Sequence, residues 1–265
     1  MASVFERSSS SAKRVLSSKM RFTSFVSLAV LCSIAAAVPT APAPKDCSAE
    51  VAKYNMERRA ARGLSKRTFY SQMLDLTCAL SPEATLEDYT ANPPIRTDIT
   101  EGQPGVAFTL DIGVMNTSTC KPLPNAMVEL WGPNAVGAYG TTFLRGATKT
   151  ASNGIAEFQT IFPGFTSEGA NHLNILVHPT ASESSGVAHV GQLFFTDPWT
   201  DVVSQYTDYN KNTNHRMKNS ADPVFAAANS GGVNSIVDLE SINDDWPEGI
   251  IGYITVGVNP TKLVA

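Results

Sequence analysis

The chain has 265 residues, of which 43% are hydrophobic and 17% charged, and its formal net charge at pH 7 is −4. This length and composition predict a globular protein with a sizeable buried core, organised as one domain or as one domain with extensions. The acidic balance argues against nucleic acid as a partner, because phosphate binding relies on clustered Lys and Arg.

Residues 1–37 have the layout of a secretory signal peptide, with a possible upstream extension if Met20 is the true start. Basic residues precede an apolar run from Phe25 to Val38, which is too short to span a bilayer comfortably and which includes the small residues Ala35 to Ala37. Removing residues 1–37 would leave 15 Lys and Arg against 23 Asp and Glu. We therefore predict a secreted, extracellular protein that is not held by a membrane after cleavage.

Residues 38–77 are predicted to form a linker followed by a helical segment. The linker begins with the Pro-rich stretch VPTAPAPKD, which is typical of a flexible chain. From residue 47 to residue 77 apolar residues recur at a loose helical spacing without an internal proline, which predicts one or two helices. Signal cleavage would leave Cys47, Cys78 and Cys120 in an oxidising compartment, and with an odd number one cysteine is left over.

Residues 78–265 are predicted to form an all-β domain with a β-sandwich core. From residue 105 the hydrophobic period changes to two, and short alternating runs punctuated by Gly and Pro follow without a helical pattern between them. Residues 207–245, rich in Asn, Asp and Ser, predict a long excursion before the last strand. The apolar residues expected to build the core include Phe108, Leu110, Ile112, Val128, Leu130, Phe158, Ile161, Leu176 and Phe194.

Six stretches of this predicted domain carry motifs in a characteristic order. They are PPIRTDITEGQPG, CKPLPNAMVELW, VGAYG, TTFLRGATKTASNGIAEFQTIFPG, HVGQLFF and IGYITVGVNP. From about residue 78 to residue 260 the chain thereby resembles the secreted fungal branch of the intradiol ring-cleavage dioxygenases, the catechol and protocatechuate dioxygenase family. The resemblance implies one ferric iron held by two tyrosinates and two histidines, and cleavage of a catechol-type ring by oxygen.

The resemblance places the four metal-ligand positions at Tyr139, Thr166, His172 and Asn174. Tyr139 and His172 are retained, whereas Thr166 stands where a tyrosine is expected and Asn174 where a second histidine is expected. Residues 172 and 174 alternate on one strand, so both side chains are expected on the same face. A threonine hydroxyl is a poor iron ligand because it keeps its proton near neutral pH. The substitutions predict impaired or lost binding of Fe(III).

The resemblance also identifies residues around the metal. Gln192 is a candidate catalytic residue because the family often has a polar residue near the substrate at this position; the alternative is a buried hydrogen-bonding strand residue. Gly169 replaces an arginine that would provide a cation for the substrate. His178 and His189 recur in the secreted branch without being ligands, and we expect structural roles for both.

The resemblance bears on the disulfide as well. The cysteine that would pair with Cys120 is missing, because the corresponding run here is Trp131-Gly132-Pro133. We therefore expect a disulfide between Cys47 and Cys78, with Cys120 free.

Three functional hypotheses follow. The first and favoured one is a secreted intradiol-dioxygenase-like protein with impaired or lost ferric catalysis, whose retained cleft binds a small catechol-type aromatic or another ligand. The second is an active Fe(III)-dependent intradiol dioxygenase with an altered metal shell, in which a carboxylate such as Glu168 replaces a lost ligand. The third is a module that binds cell-wall or lignocellulose surfaces, for which an exposed row of aromatic residues would be diagnostic.

Overall fold

A computed structural model describes residues 46–62 and 84–264 of the chain. The predicted signal peptide, the second half of the predicted helical segment and Cys78 lie outside these residues. Within them, no helix is long and apolar enough to cross a membrane. The helices and strands, in chain order, are α1 (Ser48–Ala61), β1 (Ala107–Asn116), β2 (Lys121–Pro122), β3 (Met127–Trp131), β4 (Arg145–Lys149), β5 (Ile155–Ile161), β6 (His172–His178), β7 (His189–Phe194), α2 (Asp197–Val203), α3 (Pro223–Ala228), β8 (Asp238–Ser241) and β9 (Ile250–Val258).

The strands form two sheets. In the first sheet the order is β2-β1-β9-β8, and β5 also pairs with β1. Strands β1 and β9 run parallel, whereas β1 and β5 run antiparallel. The second sheet has the order β4-β3-β6-β7 and is antiparallel throughout. The prediction of a β-rich fold with an N-terminal helix is thus confirmed.

Both sheets contribute to one hydrophobic core. Phe108 of β1 and Phe158 of β5 pack in the same cluster as Ile175 of β6, and all three are fully buried. Two residues expected in this core lie elsewhere, because Leu176 and Phe194 belong to separate buried clusters. The period of two explains the position of Leu176, which follows Ile175 on β6 and therefore points to the opposite face of the sheet.

Helix α1 covers the first sheet with a face that is largely polar. Its buried residues are Val51, Tyr54, Asn55, Arg58 and Arg59, which follow the i, i+3, i+4, i+7, i+8 spacing of one helical face. The buried Arg58 Nη1 donates to Asp111 Oδ1 of β1 at 2.9 Å. Ion pairs with the sheet therefore compensate for the buried charge on this helix.

The disulfide joins Cys47 and Cys120, with Cα atoms 5.2 Å apart. The predicted pairing of Cys47 with Cys78 and the predicted free Cys120 are therefore wrong for these two positions. The packing of α1 explains the difference, because it brings the start of the helix against the turn that follows β1. Cys47 and Cys120 are buried together there with Met115, although the two cysteines are 73 residues apart.

The excursion at residues 207–245 contains regular structure as well as turns. The short helix α3 and the edge strand β8 lie within it, and β8 pairs antiparallel with β9. Asp222 caps α3 by accepting a hydrogen bond from the Val224 backbone N–H at 2.7 Å. The polar composition of the segment thus reflects helix caps and turns, and the segment joins the first sheet through the pairing of β8 with β9.

Candidate functional site

The predicted ligand strand is β6, in the middle of the second sheet. Its residues Leu173 and Ile175 point into the shared core, so the alternating His172 and Asn174 point to the outer face. Asn174 lies opposite Gln192 of β7 on one side and opposite Trp131 of β3 on the other. The prediction that residues 172 and 174 share a face agrees with this register.

The Asn174 side chain bonds directly to Tyr139, which lies in the loop between β3 and β4. Its Nδ2 donates a hydrogen bond to the Tyr139 hydroxyl at 3.0 Å. Burial raises the pKa of Tyr139 above its usual value, and the nearby Glu87 carboxylate raises it further. The Tyr139 hydroxyl is thus held by the amide that stands at the expected histidine position.

Both ring nitrogens of His172 face acceptors. Nδ1 lies 2.7 Å from the Ala170 carbonyl oxygen, and Nε2 lies 3.1 Å from Glu87 Oε2. Gln192 Nε2 donates to the same Glu87 oxygen over a longer distance of 3.5 Å. The hydrogen bond from His172 lowers the pKa of the Glu87 carboxyl, so Glu87 is an anion near neutral pH.

Thr166 and Glu168 form a local turn. The Thr166 hydroxyl donates to the Glu168 carbonyl oxygen at 2.8 Å and accepts from the Glu168 N–H at 3.1 Å. The exposed Glu168 carboxyl has a raised pKa because of its hydrogen bond and charge interaction with Glu87. Gly169 follows with a φ of +79°, a left-handed conformation in which a side chain is strained. The loop geometry therefore disfavours the arginine that the resemblance implies at residue 169.

Solved structures with similar folds are dioxygenases. An intradiol ring-cleavage dioxygenase from Tetranychus urticae is 28% identical, with a TM-score of 0.62 over 71% of this chain and 98% of that chain. The dioxygenase domain of a dioxygenase carbohydrate-binding protein fusion from Streptomyces sp. SirexAA-E is 23% identical, with a TM-score of 0.50 over 70% of this chain and 99% of that chain. No protein-family model matches the chain, and no curated protein matches it.

The chain has the fold of the intradiol ring-cleavage dioxygenases. The ferric site implied by the sequence resemblance needs two phenolates and two neutral imidazoles whose ligand atoms converge on one ion. Here a threonine and an asparagine stand at two of the four positions. The Tyr139 hydroxyl is hydrogen-bonded to Asn174, the His172 Nε2 to Glu87, and the Thr166 hydroxyl within its own turn. The residues present therefore do not fit that ferric centre. Among residues 46–62 and 84–264, no group of three or more His, Cys, Asp and Glu side chains is arranged to hold a metal.

Glu87 is the site residue that sequence reasoning missed. It lies 85 residues before His172, in a segment without regular secondary structure. Periodicity could not have found it, because a contact over this separation is set by the path of the chain and not by local spacing. The carboxylate proposed from the sequence, Glu168, is exposed, whereas Glu87 is the one in contact with His172.

A second polar pair lies further along the same face of the sheet. His178 Nε2 lies 2.6 Å from Glu129 Oε1, and its Nδ1 lies 2.7 Å from the Gly186 carbonyl oxygen. Both side chains are buried. With acceptors at both ring nitrogens, His178 links β6 to β3 and to the loop before β7, an arrangement suited to a structural role.

Proposed function

We propose that this protein is a secreted, non-catalytic protein with an intradiol dioxygenase fold that acts as a binding or interaction protein. The observation that carries the proposal is the 3.0 Å hydrogen bond between Asn174 and Tyr139. Two of the four expected ligand positions are therefore hydrogen-bonded to each other. Ring cleavage by ferric iron requires these positions to supply a phenolate and an imidazole; the amide of Asn174 cannot supply the imidazole, and it holds the Tyr139 hydroxyl in a hydrogen bond.

Secretion is part of this proposal. The signal-peptide pattern of residues 1–37 supports it, and so does the Cys47–Cys120 disulfide, because such bonds persist in oxidising compartments. The shared apolar core of the two sheets supports the predicted β-sandwich. A small catechol-type aromatic is the candidate ligand, since the dioxygenase fold is retained and Gln192 keeps a polar side chain beside Asn174.

The deciding experiment is metal analysis of the secreted chain together with its visible spectrum and its oxygen uptake with catechol. We expect substoichiometric iron, no visible tyrosinate band and no oxygen uptake. Stoichiometric iron with a visible band and ring cleavage would overturn the proposal and establish an active dioxygenase with an altered shell. Titration of the iron-free chain with catechol, compared with the Gln192→Ala variant, then tests whether the aromatic binds at this site.

A further inference from the structure

The Glu87 carboxylate faces Nε2 of His172, and the 3.1 Å between Nε2 and Glu87 Oε2 is a hydrogen-bond distance. The other ring nitrogen, Nδ1, lies 2.7 Å from the Ala170 carbonyl oxygen, so both nitrogens of His172 are engaged by protein atoms. A histidine binds metal through a ring nitrogen with a free lone pair, and a nitrogen that donates a hydrogen bond to a carboxylate has none. Glu87 and a metal ion therefore compete for the same atom.

Main-chain bonds hold Glu87 in this place. It belongs to a strap, residues 84–89, that crosses the outer face of the second sheet. The Ala84 N–H donates to the Val190 carbonyl of β7 at 3.0 Å, and the Trp131 indole Nε1 donates to the Glu87 carbonyl at 2.8 Å. These hydrogen bonds fix the backbone of the strap and thereby position the Glu87 carboxylate beside His172.

Further contacts secure the end of the strap. Arg145 Nη2 of β4 donates to the Asp88 carbonyl at 3.2 Å, and the Tyr89 ring packs against Trp131 with centroids 5.4 Å apart. Asp88 has a φ of +47°, which bends the backbone between Glu87 and Tyr89. These contacts involve β3, β4 and β7, so the strap is tied to three strands of the sheet that carries His172.

We propose that Glu87 is a built-in counter-ligand that takes the place of a metal ion at His172 and keeps the cluster closed to metal. The inference rests on the proposed non-catalytic function and adds a second cause for it. The site is closed by an internal carboxylate as well as by the loss of a tyrosine and a histidine. Restoring the two missing ligands alone will therefore not restore a metal site.

The test compares three variants of the full mature chain. Thr166→Tyr/Asn174→His restores the expected ligands, a second variant adds Glu87→Ala, and a matched control adds Glu57→Ala, at an exposed carboxylate of α1, to the same pair. Each protein receives ferrous iron under argon, is exposed to air and is desalted before iron and the visible spectrum are measured. Circular dichroism and thermal unfolding establish that each variant is folded.

We expect about one iron per chain and a visible phenolate band only when Glu87 is replaced, and at least tenfold less retained iron in the other two proteins. Equal iron in the double variant and the Glu87→Ala variant would overturn the proposal. So would an equal gain from Glu57→Ala, or no iron in any of the three. These outcomes are independent of the proposed function, which depends on the iron and activity of the unaltered chain.

A second measurement tests the contact in the otherwise unaltered chain. Long-range proton–nitrogen NMR should show a slowly exchanging proton on His172 Nε2. Glu87→Ala should abolish the slow exchange, whereas Glu57→Ala, at an exposed carboxylate of α1, should leave it unchanged. The variants His178→Gln and His189→Gln assign the signals of the other two buried histidines. An unprotonated Nε2 in the unaltered chain would refute the counter-ligand role.

Discussion

At the scale of single residues, the Asn174–Tyr139 contact turns two expected ligand positions into a structural hydrogen bond. Asn174 is buried and Tyr139 is partly buried, and removing one partner leaves the other without this bond. The Tyr139 hydroxyl thus accepts a hydrogen bond from an amide, whereas the resemblance implies that it binds iron. The contribution of this hydrogen bond to stability can be measured as a coupling energy.

We predict a coupling of about 0.5–1.5 kcal/mol between Tyr139→Phe and Asn174→Ala in a double-mutant cycle of unfolding free energies. Urea denaturation of the four proteins gives this value. Tyr209→Phe provides the matched control, because its hydroxyl donates to the Phe162 carbonyl at 2.6 Å and does not contact Asn174. Additive energies for Tyr139 and Asn174 would show that the hydrogen bond contributes nothing to stability.

His178, on the same face of the second sheet as His172, makes the stability of the folded state depend on pH. Burial by itself lowers the pKa of this histidine, but hydrogen bonds to Glu129 and the Gly186 carbonyl, with the Glu129 charge, outweigh burial and raise the pKa above its usual value. The folded state then binds the proton more tightly than the unfolded state does. The resulting stability is fully present below the unfolded pKa of about 6.5 and is lost as pH rises through the raised pKa.

We therefore predict that the unfolding free energy falls as pH rises from slightly acidic to alkaline values, and that His178→Gln removes this part of the dependence. Thermal or urea unfolding across the range measures the effect. The exposed His215 supplies the control, since His215→Gln should leave the slope as it was. An unchanged slope in His178→Gln would assign the dependence to other groups.

At the scale of elements, α1 is joined to the first sheet by charges and by a disulfide. Arg58 and Asp111 are 4% and 3% exposed, and Arg58 Nη2 also donates to Thr255 Oγ1 of β9 at 3.2 Å. Arg59 pairs with Asp238 of β8 at 2.5 Å. A helix with so polar a buried face is specific for this sheet, because only complementary acceptors offset the desolvation of its guanidinium groups.

We predict that Arg58→Met lowers the unfolding free energy by about 3 kcal/mol, because the buried Asp111 then loses its 2.9 Å partner and keeps the longer contact with Arg62 at 3.6 Å. Adding Asp111→Asn should recover part of the loss. The exposed pair of Lys53 and Glu57 on the same helix is the control, and Lys53→Met should change stability by less than about 0.5 kcal/mol. Equal effects at the two sites would contradict the buried-pair interpretation.

At the scale of the whole molecule, the two sheets share an apolar core that contains none of the four expected ligand positions. Phe108, Phe162 and Phe195 pack against one another in this core with tilted or edge-on rings, whose centroids are 4.7 to 6.1 Å apart. Each fully buried side chain of this size contributes roughly 1.5–3 kcal/mol. The fold therefore has its own source of stability on the face of the second sheet opposite to His172.

We predict that thermal unfolding of the mature chain is the same with and without a strong chelator. A ligand bound only to the folded state would raise the unfolding temperature in proportion to its occupancy, so a stabilising metal would be revealed by its removal. Differential scanning calorimetry with and without EDTA makes the comparison. A drop of several degrees in the presence of the chelator would require a metal that contributes to the folded state.

The sequence by itself determined the features that depend on neighbouring residues. Alternating hydrophobicity located the major strands, and motif order led to the dioxygenase fold. The same alternation placed His172 and Asn174 on one face. Alternation does not predict β4, because its residues Arg145 to Lys149 do not alternate, and it does not tell which face of β6 and β7 meets the core.

Only the tertiary structure decided which distant residues meet. Glu87 contacts His172 over 85 residues, and Cys47 reaches Cys120 over 73. Neither contact leaves a trace in local spacing, because each depends on how a strap or a helix is laid across a sheet formed by other parts of the chain. The substitutions at Thr166 and Asn174 are visible in the sequence. What these two side chains contact depends on packing, since the free energy of a buried polar group is set by its partner in space.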